Sequence, residues 1–154
     1  MEVTNPLTNL KPYLQEPCSV LTGEQLDRLG LPGHEEPGDT PLGRECLWTN
    51  SDNGASAAIN WDTKTRTGLS GTYDVRGKYA FFKPLAPIDG LPAVAYGTTD
   101  RREAGACSVA VGVNDEVIFQ ANITLSRQKT GEADPCKLAR IVGKMMVTTM
   151  RQGR

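Results

Sequence analysis

The end of the chain dictates the layout of what precedes it. From Lys137 to about Met150, the residues Leu138, Ile141, Val142, Met145 and Thr149 recur at helical spacing, so one face of a terminal helix must lie on something. Its opening, Asp134-Pro135-Cys136, sets a capping acid before a proline that suits the first helical position. Near the other end stands a close copy, Glu16-Pro17-Cys18. Two acid-Pro-Cys turns leading into helices at opposite ends imply that both ends of the chain close over a common middle.

That middle reads as β-structure. A hydrophobic fraction of 38% with 16 glycines and 10 prolines fits short strands and many turns better than a helical bundle, and 154 residues suit one domain. Thr22 and Gln25 form a capping-box pattern for a helix over Gly23 to Leu29, closed by Gly30 in the left-handed position that glycine takes cheaply. The Pro- and Gly-rich stretch Pro32 to Pro41 reads as an exposed loop. Arg44 to Thr49 and Ser56 to Trp61 alternate around a Ser-Asp-Asn-Gly turn and predict a hairpin. Leu69, Tyr73, Arg76 and Ala80 fall near helical spacing, predicting a short helix within Leu69 to Phe82 that Pro84 and Pro87 stop.

Gly90 to Tyr96 is a strand with Pro92 near its start. Cys107, Val109, Val111 and Val113 form one face of another, Asn114-Asp115 turns, and Val117 to Leu125 returns. The sum is an α+β fold, an antiparallel sheet of about five strands covered by N-terminal and C-terminal helices.

The four cysteines, Cys18, Cys46, Cys107 and Cys136, are widely spaced and include no Cys-x-x-Cys pair. That pattern favours disulfides in an oxidising compartment over free cytosolic thiols, and the missing knuckle spacing argues against zinc. Of the three possible pairings, Cys46 with Cys107 is expected because both sit in core strands. Cys18 then pairs with Cys136, since both open helices. Loops this long give each bridge about 4 kcal/mol in the chain-entropy model.

No apolar run approaches the roughly 20 residues of a spanning helix, and Met1 to Asn9 lacks the basic start and apolar centre of a signal peptide. The cysteines and this start are reconciled if the chain is a mature segment whose export signal was replaced by Met1. Residues 1–15 are then expected to be a flexible N-terminal tether, and 16–154 a single α+β domain. A net charge of −1 gives no global attraction for nucleic acid or anionic membrane, so neither is expected as a partner except through a lipid anchor.

Several short motifs, taken in order, resemble a known family. They are Glu16-Pro17-Cys18-Ser19-Val20-Leu21-Thr22 with Leu29-Gly30-Leu31, Cys46-Leu47-Trp48, Gly90-Leu91-Pro92-Ala93-Val94, Cys107-Ser108-Val109, and Asp134-Pro135-Cys136 with Ala139. The chain resembles the actinobacterial exported lipoproteins grouped as domain of unknown function 3558. The resemblance implies a lipid-anchored domain outside the cytoplasmic membrane, with no assigned reaction. No cofactor is expected. The family's N-terminal lipobox cysteine is absent from this sequence.

No catalytic constellation stands out. His34, beside Glu35 and Glu36, lacks a positioned partner, and Asp62, Asp74 and Asp89 show no spacing that selects a catalytic pair. Trp48 reads as core, and Trp61 as either core or a stacking platform. Lys64 to Arg66, Arg76 to Lys78 and Arg101-Arg102 are basic clusters that suit a solvated surface or an anionic envelope polymer. Asn122-Ile123-Thr124 matches a glycosylation acceptor but falls in a predicted strand.

The expected function is a noncatalytic binding or interaction domain that recognises an envelope protein, polymer or small ligand. Tyr73, Arg76, Lys78 and Tyr96 are the candidate binding residues. The alternative is an envelope hydrolase using a carboxylate pair.

Overall fold

A computed structural model describes residues 1–31 and 34–153. Its centre is one antiparallel sheet of β1 (Glu35–Asp39), β2 (Arg44–Thr49), β3 (Ser56–Asp62), β4 (Phe81–Ile88), β5 (Leu91–Gly97), β6 (Ala106–Gly112) and β7 (Ile118–Thr124). The spatial order is β1-β2-β3-β7-β6-β5-β4, with each neighbouring pair antiparallel. The chain builds three strands from one edge, crosses to the far edge, and returns through four more until β7 meets β3. Short helices α1 (Lys11–Gln15), α2 (Gly23–Leu29) and α3 (Gly68–Asp74) and the long α4 (Pro135–Arg151) complete the α+β fold.

The sheet has seven strands rather than about five, and both additions are its edges. β1 occupies much of the expected loop of Pro32 to Pro41, of which Pro32 and Gly33 lie outside the described residues. An edge strand exposed on both faces needs no apolar alternation, so Glu35-Glu36-Pro37-Gly38-Asp39 hides its pairing with β2. β4 contains Pro84 and Pro87, read as stop signals, but an edge strand tolerates missing amide donors. Prolines on both edges also discourage pairing with further strands. The short helix expected within Leu69 to Phe82 forms over Gly68–Asp74, and a 3-10 turn follows at Arg76–Lys78.

One face of the sheet carries most of the core. Trp48, Ile59, Trp61, Val109, Val111, Phe119 and Ala121 are all fully buried there, the β6–β7 part beneath α4 and the β2–β3 part beneath the N-terminal segment. The buried side of α4 is Pro135, Ala139, Val142, Gly143, Met146, Val147, Thr149 and Met150, which includes Val142 and Thr149 of the expected stripe. It is otherwise offset from that stripe: Ile141 is exposed, and Leu138 and Met145 are half-buried. Small residues lie at the contact, where Gly143 faces Ile88, Val111 and Ala121.

The first fifteen residues are not a tether. Val3, Leu7, Leu10 and Tyr13 are buried in the same core. The Leu7 amide donates to the Val113 carbonyl (2.9 Å) and the Val3 amide to Asp115 Oδ1 (2.8 Å). Tyr13 ties three parts together: its carbonyl accepts from Trp61 Nε1 (3.2 Å), and its hydroxyl donates to the Thr149 carbonyl (3.3 Å). The helix over Gly23–Leu29 forms as expected, with the reciprocal Thr22–Gln25 capping box and Gly30 left-handed at φ 68°. Gln25 Nε2 also reaches the Met145 carbonyl (3.1 Å), so the cap locks α2 to α4.

All four cysteines are in disulfides, but the partners differ from those expected. Cys18 bonds Cys46, and Cys107 bonds Cys136. Cys46 on β2 and Cys107 on β6 are separated by β3 and β7. Three strand spacings amount to ~14 Å, twice the Cα separation that a disulfide can span. Each bridge instead fastens one acid-Pro-Cys turn to the strand beneath it.

Candidate functional site

The face of the sheet turned away from α4 is less completely covered. Its positions alternate with the core: Cys107 turns toward Cys136 while Ser108 turns away, and Phe119 and Ala121 are buried on the core side while Gln120 and Asn122 are half-buried on the other. The crossover covers one part of this second face. Leu69 of α3 packs with Val94, Tyr96, Ala110 and Ile118, flanked by Tyr73, Tyr79 and Phe82. Gly68 permits this approach. Its φ is 61°, and a Cβ there would lie 2.3 Å from the Asp115 carbonyl oxygen.

Tyr73 and Phe82 meet edge to face at 5.0 Å, Tyr79 lies parallel to Phe82 at 6.1 Å, and Tyr79 and Tyr96 are tilted at 4.8 Å. Where this aromatic cluster ends, a cavity of about 460 Å³ opens, lined by Tyr79, Tyr96, Thr98, Thr99, Arg101, Ser108 and Gln120 together with Phe81, Gly97, Ala106 and Cys107. Its volume falls within the range of about 300–1,000 Å³ typical of small-ligand sites. Register explains the gathering. Tyr96 pairs with Ser108 across β5 and β6, and Gln120 on β7 pairs with Ala110, two residues from Ser108. Beyond them a polar ladder continues, Asn122 Nδ2 donating to Asn60 Oδ1 (2.8 Å) and Asn60 Nδ2 to Glu45 Oε1 (3.1 Å).

Tyr96 is only 7% exposed, and burial, then Tyr79 and Asp62, push its phenol well above the ordinary tyrosine value. Burial also raises Tyr79. Both hydroxyls therefore stay protonated at neutral pH and can donate. Among the described residues, the side chains of Tyr79, Tyr96, Ser108, Gln120 and Arg101 have no hydrogen-bond partner. Arg102 next door is occupied: it donates to Asp100 through two bonds (2.9 and 2.7 Å) and stands 3.9 Å over the Phe81 ring. These bonds hold the Asp100 carboxyl down at about 2.

Of the four residues expected to bind, Tyr96 lines this cavity. Tyr73 belongs to the adjoining cluster, with its carbonyl accepting from Arg76 Nη1 (2.9 Å), and Arg76 and Lys78 lie exposed on the following turn. Tyr79, Ser108 and Gln120 were not singled out by sequence reasoning. Ser108 and Gln120 do carry a signal there: they are polar residues between buried apolar neighbours, and converge once β6 and β7 are paired.

The other candidates have local structural roles. Trp48 and Trp61 are both buried core. Asp62 accepts from the Lys64 and Thr65 amides, Asp89 pairs with Arg151 (2.8 Å), and Asp74 is exposed at the end of α3. Arg66 pairs with Glu116 (2.8 Å). His34 is exposed, with Nε2 3.2 Å from Glu36 Oε1. Cys18, Cys46 and Glu35 cluster, but the disulfide occupies both sulfurs, which removes the thiolates a metal would need. A smaller cavity of about 220 Å³ between α2, α4 and the β3–β7 pair is lined mainly by apolar groups such as Leu29, Leu31, Ile123 and Val142.

Fold and site define a class: an α+β domain on one seven-stranded antiparallel sheet, stapled on its helical face and carrying a polar cavity on the other. The chain belongs to the family described as Protein of unknown function (DUF3558), whose model matches residues 2–149. No curated protein matches it.

Proposed function

We propose that this is a noncatalytic binding domain of the actinobacterial cell envelope, exported and held at the membrane by a lipid anchor, which takes its ligand in the cavity beside Tyr96. The observation that carries the binding reading is the convergence of Tyr79, Tyr96, Ser108 and Gln120, side chains without internal partners, around a cavity of small-ligand size. These groups face solvent in the free protein, and a ligand with matching donors and acceptors can take the place of that water without loss of hydrogen bonds. The lining offers hydroxyls, a carboxamide and one guanidinium. These groups hold and orient a ligand. Catalysis as a glycosidase would require two facing carboxyl groups, which this lining does not contain.

The compartment rests on different support. Both disulfides suit an oxidising environment. No helix among the described residues is long and apolar enough to cross a membrane. The lipid anchor is what the family resemblance implies. The test of binding is a ligand-observed NMR screen with a mixed library of small fragments, followed by mapping of hits on protein amides. Hits that shift Tyr79, Tyr96, Ser108 and Gln120 and weaken in Gln120→Ala support the reading. Hits confined to other surfaces, or turnover of a fragment, refute it. The anchor is tested by following a tagged full-length protein into membrane or culture fluid, with and without globomycin to block lipoprotein maturation.

A further inference from the structure

Resting on the reading of this cavity as a binding site, we infer that its ligand is a saccharide ring bearing a single carboxylate. The uncharged groups set the first part. Phenol, alcohol and carboxamide groups each both donate and accept, as sugar hydroxyls do, and here Tyr79, Tyr96, Ser108 and Gln120 present them without internal partners. A wholly apolar ligand would desolvate these four groups and return nothing. Tyr79, half-buried and braced against Phe82 and Tyr96, adds a fixed aromatic surface for the apolar side of a sugar ring.

Charge sets the second part. Arg101 is exposed at the cavity mouth and forms no ion pair among the described residues, whereas its neighbour Arg102 is committed to Asp100. One available guanidinium matches one carboxylate, which it can grip through two parallel bonds. A polyphosphate would call for a cluster of cations, and a cationic ligand for a free acid in the lining. Neither is present in it.

The test uses the whole chain and three probes: a galactose trisaccharide whose non-reducing end alone is galacturonic acid, the wholly neutral galactose trisaccharide, and acetate. Protein amide shifts are followed by NMR. The acidic trisaccharide should saturate shifts at Thr98, Ser108 and Gln120 and bind about two- to fivefold tighter than the neutral one, the scale of one solvent-exposed ion pair. Arg101→Gln should remove that difference while leaving the unfolding temperature unchanged. Gln120→Ala should weaken both sugars.

Equal binding of acidic and neutral sugars overturns the carboxylate assignment, and acetate binding as tightly as the trisaccharide overturns the saccharide. If no sugar binds but other fragments shift the same amides, the ligand class is wrong and the binding site stands. If nothing shifts them, both readings fall.

Discussion

Replacing Cys107 and Cys136 together by alanine should cut the link between the start of α4 and β6 while leaving the helix in place. The bridge closes a sequence separation of 29 residues. The chain-entropy relation gives about 3.5 kcal/mol for a loop of that size, which corresponds to a fall of about 7–14 °C in unfolding temperature for a chain of this length. The Cys18–Cys46 bridge spans 28 residues, so its double replacement should cost about the same.

A third variant discriminates between pairings. Replacing Cys46 and Cys107 would remove a single bridge if those two were partners. In this structure it breaks both bridges, so its loss should approach the sum of the other two, and Cys18 and Cys136 should appear as two free thiols. Calorimetry or circular dichroism measures the three losses, and nonreducing peptide mapping identifies the pairs. A Cys46→Ala/Cys107→Ala protein without free thiols, or with a loss no larger than the other two, would refute the pairing and the strand order that enforces it.

Three further expectations follow from the packing and charges. Trp48 and Trp61 are equally buried, but only the Trp61 indole has a partner, the Tyr13 carbonyl, whereas Trp48 Nε1 has none. Trp61→Phe should therefore cost about 1–3 kcal/mol more than Trp48→Phe in denaturant titrations, and equal costs would contradict this. Gly143→Ala adds a methyl group whose nearest neighbours stand 3.6–3.9 Å away, ordinary contact distance, so helix propensity should raise stability by about 1 kcal/mol, read as a higher unfolding temperature. Asp100 is held below its ordinary value, so its contribution is present at neutral pH and lost as pH falls from 3.8 toward about 2. Arg102→Gln should return its carboxyl titration, followed by NMR, toward 3.8.

What was legible in the sequence was local. The helix over Gly23–Leu29 is specified by Thr22, Gln25 and Gly30 within nine residues, and the β6–β7 hairpin by unbroken alternation around Asn114-Asp115. β1 and β4 were illegible because edge strands need neither a buried face nor every amide, so acids and prolines there resemble loop. The disulfides failed for another reason. Alternation says which face Cys46 and Cys107 occupy, but not that β3 and β7 stand between them. The buried N-terminal segment escaped because its apolar residues, Val3, Leu7 and Leu10, contact the core from an irregular chain that has no period to detect.

The candidate site follows the same division of faces. In β6 and β7, Cys107, Val109, Phe119 and Ala121 belong to the stapled core, while Ser108 and Gln120, one residue away, belong to the cavity. A period of two thus separates two selective pressures along the same seven-residue strands. Core positions must match α4 in volume, but cavity positions are constrained by whatever completes their hydrogen bonds. Tyr96 spans the division, being buried in the second cluster and also part of the cavity wall. Truncating it would confound stability with binding, whereas Ser108 and Gln120 can be changed with the core intact, so they are the positions at which loss of ligand can be read without loss of fold.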